Sequence, residues 1–284
     1  MITTLWGKKE KVEISHEGPT VIIGERINPT GRSRLTTALE KRDWDVLRQE
    51  AILQVEQGAG VIDVNVGAAG IDEVAVLPEV VQAVSEATGV PVCIDTSNSQ
   101  ALEAALRVCE GKPLINSTTG EEASLSVILP MAKEYGAAVI GLCQDERGIA
   151  QDPERRVEIA QKIVASAKSY GIEEHDILID PLVLTVAAEN KAGWVTLTTA
   201  QLISQRLGLN MTMGTSNISF GLPNRFRINN NFLAMAIWCG VNAPVVNPGA
   251  QGLVETILTA DLVKGNDEYA GRYLKHYRKS LRQS

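Results

Sequence analysis

Histidine, cysteine and aromatic residues are scarce in this 284-residue chain, with three His, four Cys and 4% aromatics. Each scarcity removes a class of chemistry. His16, His175 and His276 lie away from the strand ends described below, which argues against a histidine general base, a histidine-rich metal centre and a Ser-His-Asp triad. Cys93, Cys109, Cys143 and Cys239 are widely spaced and form no C-x-x-C pair. Zinc knuckles, iron-sulfur sites and disulfide frameworks are therefore not indicated, no bound metal is expected, and the thiols read as buried small hydrophobes. Glycine-rich phosphate loops, Walker sequences and dinucleotide fingerprints are missing from the strand-to-helix turns. Long apolar runs are missing too: the most apolar stretch, Phe232 to Gly240, falls far below the roughly 20 residues of a membrane helix, so no membrane association is expected. Met1 to Ser15 mix charged and apolar residues without a signal-peptide core, which predicts a cytoplasmic location. A net charge of −7 and a pI near 5.2 leave no cationic surplus. Nucleic acid is thus an unexpected partner, because its non-specific binding rests on clustered Lys and Arg.

What is present is a repeated pattern on an ordinary globular composition of 44% hydrophobic and 21% charged residues. Val92-Cys93-Ile94-Asp95 is an apolar run that stops on a carboxylate and opens into Thr96-Ser97-Asn98. The same layout recurs at Val61 to Asn65, Leu114 to Ser117, Ile177 to Asp180, Met213 to Asn217 and Val245 to Asn247. A buried parallel strand is apolar along its length, so an acid or amide at its C-terminal end faces the crevice where such sheets bind ligands. Taken singly, each Asp or Asn there could equally form a turn or cap the next helix. Together they suggest one polar floor assembled from many strand ends.

Two short strands at 2–6 and 10–14 flank Gly7-Lys8-Lys9 and predict a hairpin, residues 1–19, plugging one end of the domain. Strands are then expected at 21–24, 61–66, 92–95, 113–116, 138–143, 177–180, 211–215 and 243–246. The intervening helices are placed with Leu35, Leu39, Trp44, Leu47, Ala51, Leu53 and Val55 as the buried side of the first, then at 72–88 with an irregular start at Pro78. The later ones are expected at 99–110, 121–135, from Asp152-Pro153-Glu154 to near Gly171, and at 198–207, 230–239 and 251–263. The connection from Pro181 to Trp194 is too long for a plain link, and such loops are usually functional. Eight alternations match a closed (β/α)8 TIM barrel over residues 20–265, with residues 266–284 forming an outer helix. A floor of carboxylates and carboxamides with few cations suits a neutral, donor-rich heterocycle better than a phosphate.

Gly24-Glu25-Arg26-Ile27-Asn28, Asp63-Val64-Asn65-Val66-Gly67, Cys93-Ile94-Asp95-Thr96, Ile115-Asn116-Ser117-Thr118, Ile179-Asp180-Pro181-Leu182 and Ser216-Asn217-Ile218-Ser219 follow one another along the chain. In that order they resemble the blocks of the pterin-binding methyltransferases. Within that group the chain is most similar to the methyltetrahydrofolate:corrinoid (iron-sulfur) protein methyltransferases, and more distantly to the folate module of cobalamin-dependent methionine synthase. The resemblance covers residues 20 to 265 and implies a dihydropteroate synthase-like barrel that binds methyltetrahydrofolate. It implies exchange of the N5 methyl with the cobalt of a corrinoid (cobalamin) carried by a partner protein, and a homodimer. By the same resemblance Asp95, Asn116 and Asp180 would hold the pterin ring and Asn217 would reach N5. Glu25, Asp63 and Asn65 would stand behind them, while Arg225 and Arg227 would orient a loop or meet the folate tail.

Asn28-Pro29-Thr30-Gly31-Arg32 departs towards the methionine synthase module, and no Asp-x-His-x-x-Gly corrinoid signature occurs, so the corrinoid is expected from a separate protein. Two other readings stand beside this one. Dihydropteroate synthase shares the barrel but should carry a basic residue where this chain has Thr215-Ser216-Asn217-Ile218-Ser219. A non-catalytic pterin-binding subunit would bind folate without moving its methyl.

Overall fold

The computed structural model describes residues 1–281. An antiparallel hairpin, β1 (Ile2–Trp6) and β2 (Lys11–Ser15), precedes β3 (Ile22–Ile27). Next come α1 (Ser33–Lys41), α2 (Trp44–Glu56), β4 (Ala59–Val64), α3 (Glu73–Thr88), β5 (Val92–Asp95), α4 (Ser99–Val108), β6 (Leu114–Thr119) and α5 (Glu122–Tyr135). β7 (Ala138–Leu142) is followed by a small antiparallel pair, β8 (Gln144–Asp145) and β9 (Gly148–Ile149), then α6 (Pro153–Ser169) and β10 (Ile177–Asp180). The chain continues through α7 (Ala192–Arg206), α8 (Arg225–Trp238), β11 (Val245–Val246), α9 (Leu253–Lys264) and α10 (Gly271–Ser280).

Seven parallel strands run in the order β10-β7-β6-β5-β4-β3-β11. The expected strand 211–215 closes this sheet through single bridges, Met211 to Ile179 on one side and Gly214 to Val245 on the other. Main-chain bonds from Thr212 N to Ile179 O and from Val245 N to Met213 O complete the ring. The result is a (β/α)8 barrel. Alternation along each strand sends one set of side chains inward and the other towards the helices. Ile23, Val61, Cys93, Leu114, Ala138, Ile140, Leu178 and Ala243 form the inner cluster, and Leu5 and Ile14 of the hairpin join it with no exposed surface. The hairpin thus seals the N-terminal end of the barrel. The outer set, including Ile62, Val64, Ile94, Ile115, Val139 and Ile179, packs under the helices in the larger core.

Caps fix many of the helix ends. Asp72 and Asn98 accept main-chain N–H groups at the starts of α3 and α4, Asp152 does so before Pro153 in α6, and Gly89, Gly136 and Gly265 end helices in the left-handed region. Several boundaries differ from expectation for identifiable reasons. The first helix is two, because Arg42 adopts φ 54 and Asp43 N closes on Ala38 O, which leaves Leu53 exposed. Pro78 lies well inside α3, where burial of Val76, Leu77, Val80, Val81 and Val84 outweighs the lost N–H. α7 begins at Ala192 rather than Thr198, since Gly193 lets the helix approach Ile218. α8 begins at Arg225 rather than Asn230, after Asn224 at φ 52. Cys93 and Cys143 are buried, whereas Cys109 and Cys239 end α4 and α8 and are only half-buried. Of the segment 266–284 expected as an outer helix, Gly271–Ser280 are helical as α10, and positions 282–284 lie outside the described residues.

Candidate functional site

Strand parity decides what the barrel mouth contains. Two residues beyond each inner apolar position comes the next inward one: Glu25 above Ile23, Asp63 and Asn65 above Val61, Asp95 above Cys93, Asn116 above Leu114, and Asp180 above Leu178. The register sets Asp63 beside Cys93 and Asp95 beside Asn116. The sequence-expected acids and amides of these strands therefore converge on one floor.

Hydrogen bonds tie the floor together. Asn65 Nδ2 donates to Asp95 Oδ2 at 2.9 Å, and Asn116 Nδ2 donates to Asp63 Oδ1 at 3.2 Å. The Cys93 thiol also bonds Asp63 from below. The Asn116–Ser117 peptide is cis, and the register with β7 shifts there. Asp180 Oδ1 accepts from Leu182 N at 2.7 Å, and Asn65 Oδ1 accepts from Gly67 N at 2.8 Å. The turn-forming role considered for single strand-end residues is thus real, but for Asp180 it uses only one of the two carboxylate oxygens.

Asn217 sits in a 3-10 turn, Thr215–Ser219, with its N–H donating to Gly214 O at 3.3 Å. A Cβ on Gly214 would stand 3.3 Å from Asn217 Nδ2, so the missing side chain makes room for the amide to fold back over the strand end. Arg225 braces this turn: Nη2 donates to Ser216 O at 2.7 Å and Nε to Ser219 Oγ at 3.0 Å, with the guanidinium over the Phe220 ring. Arg227 lies over Phe226 and lines a recess of about 620 Å³ between α7 and α8.

Burial dominates the electrostatics. Glu25 is pushed up to about 7 by loss of water, opposed by Arg26, Arg225 and Arg32. Burial pushes Asp180 up to about 7 against the Leu182 N–H and the Arg156 charge. Asp63, fully enclosed, is raised by burial and then by the neighbouring Asp95 charge; Asp95 is raised by burial while the Asn65 amide works against it. Such a floor holds protons more readily than free carboxylates do, and it offers both acceptors and donors to a flat heterocycle. The histidines stand elsewhere: His16 bonds Leu209 O, His175 lies beside Asp176 before β10, and His276 faces Glu255 on the outer helices.

Supporting residues escaped the sequence reading. Arg156 in α6 has no exposed surface and donates to Ala150 O, Pro181 O and Leu182 O at 2.6–2.8 Å. Gln54, equally buried, accepts from Arg26 N next to Glu25. Thr96 donates to Glu73 Oε2 at 2.7 Å beside Asp95. The available signal was position: Arg156 falls on the stripe with Pro153, Val157, Ala160 and Ile163, and Gln54 on that with Leu47 and Ala51, where a polar residue needs an internal partner.

Residues 24–247 match the family of pterin binding enzymes. The methylcorrinoid:tetrahydrofolate methyltransferase of Eubacterium limosum is 31% identical over 261 residues, covering 91% of this chain and 96% of that protein. Methionine synthases of Mycobacterium tuberculosis and Mycobacterium leprae are 28% identical over 249 residues; these cover 83% of this chain, which spans only 21% of their length. Among solved structures, dihydropteroate synthase of Yersinia pestis superposes with a TM-score of 0.69 at 17% identity, over 93% of this chain and 99% of that one. The enzyme of Vibrio fischeri gives 0.69 at 16%, over 92% and 98%. At these identities the likeness to the solved structures is one of fold.

Proposed function

The chain belongs to the pterin binding enzymes, and from that membership we propose that it transfers the N5 methyl group between methyltetrahydrofolate and the cobalt of a corrinoid carried by a separate protein. The observation that carries this reading is the set of inward-facing Asp63, Asp95, Asn116 and Asp180 at the C-terminal strand ends, with Asn217 on the turn that follows Gly214. The likeness to the Eubacterium limosum methyltransferase along 91% of the chain supports the reaction assigned.

The ring would enter with its amino-pyrimidinone edge towards Asp95, Asn116 and Asp180. Carboxylates accept from its N–H groups and the Asn116 amide meets its carbonyl, so the edge is read by complementary donors and acceptors. Buried in part, these contacts are worth more than they would be in water, and leaving one unmade costs more. Asn217 addresses the reacting end. The corrinoid, as second substrate, supplies the cobalt that gains or loses the methyl. A methyl on a neutral tertiary amine leaves badly, so N5 must gain positive character as the bond breaks. A hydrogen bond from the amide that strengthens with that change stabilises the transition state more than the ground state. Arg225 keeps the turn bearing Asn217 in place. Glu25, at about 7, stands ready to hold or release a proton near neutrality.

Anaerobic mixing of the protein with methyltetrahydrofolate and cob(I)alamin, followed by the cobalt spectrum, tests the proposal. Methylcobalamin formation above the protein-free rate is expected. Binding of methyltetrahydrofolate without transfer, with either free corrinoid or a corrinoid protein, would instead make the chain a binding subunit.

A further inference from the structure

Arg156 is an unusual core residue: a guanidinium with no exposed surface whose hydrogen-bond partners among the described residues are all main-chain carbonyls. It reaches from α6 to two separate loops at the mouth. Nε donates at 2.7 Å to Ala150 O, just beyond the β8/β9 pair, and Nη1 donates at 2.6 and 2.8 Å to Pro181 O and Leu182 O after β10. Nη2 is buried with no hydrogen-bond partner among the described residues. The segment it grips is strained, since Leu182 is held at φ 64 in the left-handed region. Thr196 Oγ1 grips the same Leu182 carbonyl from α7 at 2.7 Å. In that conformation Leu182 N donates to Asp180 Oδ1, two residues back, and fixes the carboxylate at the floor.

A buried cation is costly to desolvate. A neutral amide could satisfy some of these carbonyls, so the charge itself calls for a use. We infer that Arg156 is a positioning residue for the ligand-binding carboxylate: it locks the Asp180 turn and supplies the positive charge that keeps Asp180 ionised when the pterin edge arrives. This rests on the pterin-binding reading above and deepens it, because Arg156 itself touches no ligand. The groups facing Asp180 are Arg156 from α6, the Leu182 amide from its own loop and the Cys143 thiol at the end of β7. The Cys143 thiol is pushed well above neutrality by burial and carries no charge. Arg156 is therefore the cation in that set.

The test measures methyltetrahydrofolate affinity by titration calorimetry from pH 5 to 9 for wild type, R156Q, R156K and D180N, with Tm recorded alongside. D180N should weaken binding about tenfold or more at pH 8 and flatten the pH profile, the scale of losing a charged acceptor. R156Q should lose about tenfold at pH 7, with the midpoint of affinity against pH moving up by about one unit, because removing an opposite charge favours the protonated carboxyl. R156K, which keeps the charge and loses the planar fork, should return the midpoint to the wild-type value while binding severalfold more weakly. A folded R156Q with wild-type midpoint and affinity overturns the inference, as does a lower Tm unaccompanied by any shift in the profile. Should R156Q fail to fold, wild-type affinity in R156K overturns it alone. If D180N binds as wild type, the pterin assignment of the floor fails first, and Arg156 falls with it.

Discussion

Replacing Asp180 by Asn should make the unliganded protein more stable at neutral and alkaline pH, and leave it nearly unchanged in acid. Asp180 stands at about 7 in the folded chain against an ordinary 3.8. Between those values the native state holds a proton that the unfolded chain has released, so stability falls as pH rises from about 4 to about 7 and stays low above that. The full displacement of roughly three units corresponds to about 4 kcal/mol. Asp180 keeps some contact with water at the mouth, so about half of that, about 2 kcal/mol, is the expected gain for Asn at pH 8.5. Asn can still accept from Leu182 N, so the turn survives. Urea unfolding of wild type and D180N at pH 4 and pH 8.5 measures the difference: the two should nearly coincide in acid and separate at pH 8.5. A gain that is equal at both pH values, or a loss at pH 8.5, would refute the argument that a desolvated carboxylate is held there against its preference.

Asn217→Ala should reduce methyl transfer by about 10²-fold, the scale for one transition-state hydrogen-bond donor, with much of the folate affinity retained; single-turnover rates at saturating folate decide it. Asp95→Ala should instead weaken methyltetrahydrofolate binding, since the Asn65 amide and the ring edge lose their shared acceptor; unchanged affinity by calorimetry would remove Asp95 from the floor. Leu5→Ala should cost about 2–5 kcal/mol in denaturant unfolding, because Leu5 is fully enclosed in the inner cluster. A cost below about 1 kcal/mol would mean that the hairpin does not seal the barrel as tightly as its burial indicates.

The fold and much of the floor were legible because two periodicities coincide. Apolar runs bounded by helix-length segments predicted the strands, and the period of two along Val61-Asp63-Asn65 or Cys93-Asp95 carries the core directly into the floor. Caps such as Asp152-Pro153 and Gly136 were readable from local chemistry alone. What escaped was set by tertiary contact. Arg42 breaks the first helix without a glycine or proline to announce it. Ala192-Gly193 is a poor helix start by composition, and becomes one by packing against Ile218. Arg156 follows Arg155 and looks like a second surface cation, while the fold turns one outward to Glu158 and the other entirely inward.

The hairpin plug makes the barrel a vessel open at one end. Leu5 and Ile14 shut the floor from below, so under the proposed reaction both substrates share a single doorway. The small one must pass first, and a corrinoid protein large enough to present its cobalt there would act as a stopper behind it. Traffic is then strictly last in, first out: the demethylated folate stays captive until the protein partner withdraws. Steady-state kinetics should accordingly show an ordered ternary complex rather than independent exchange of each substrate. Excess corrinoid protein should inhibit by corking an empty barrel, an effect that rising folate concentration relieves.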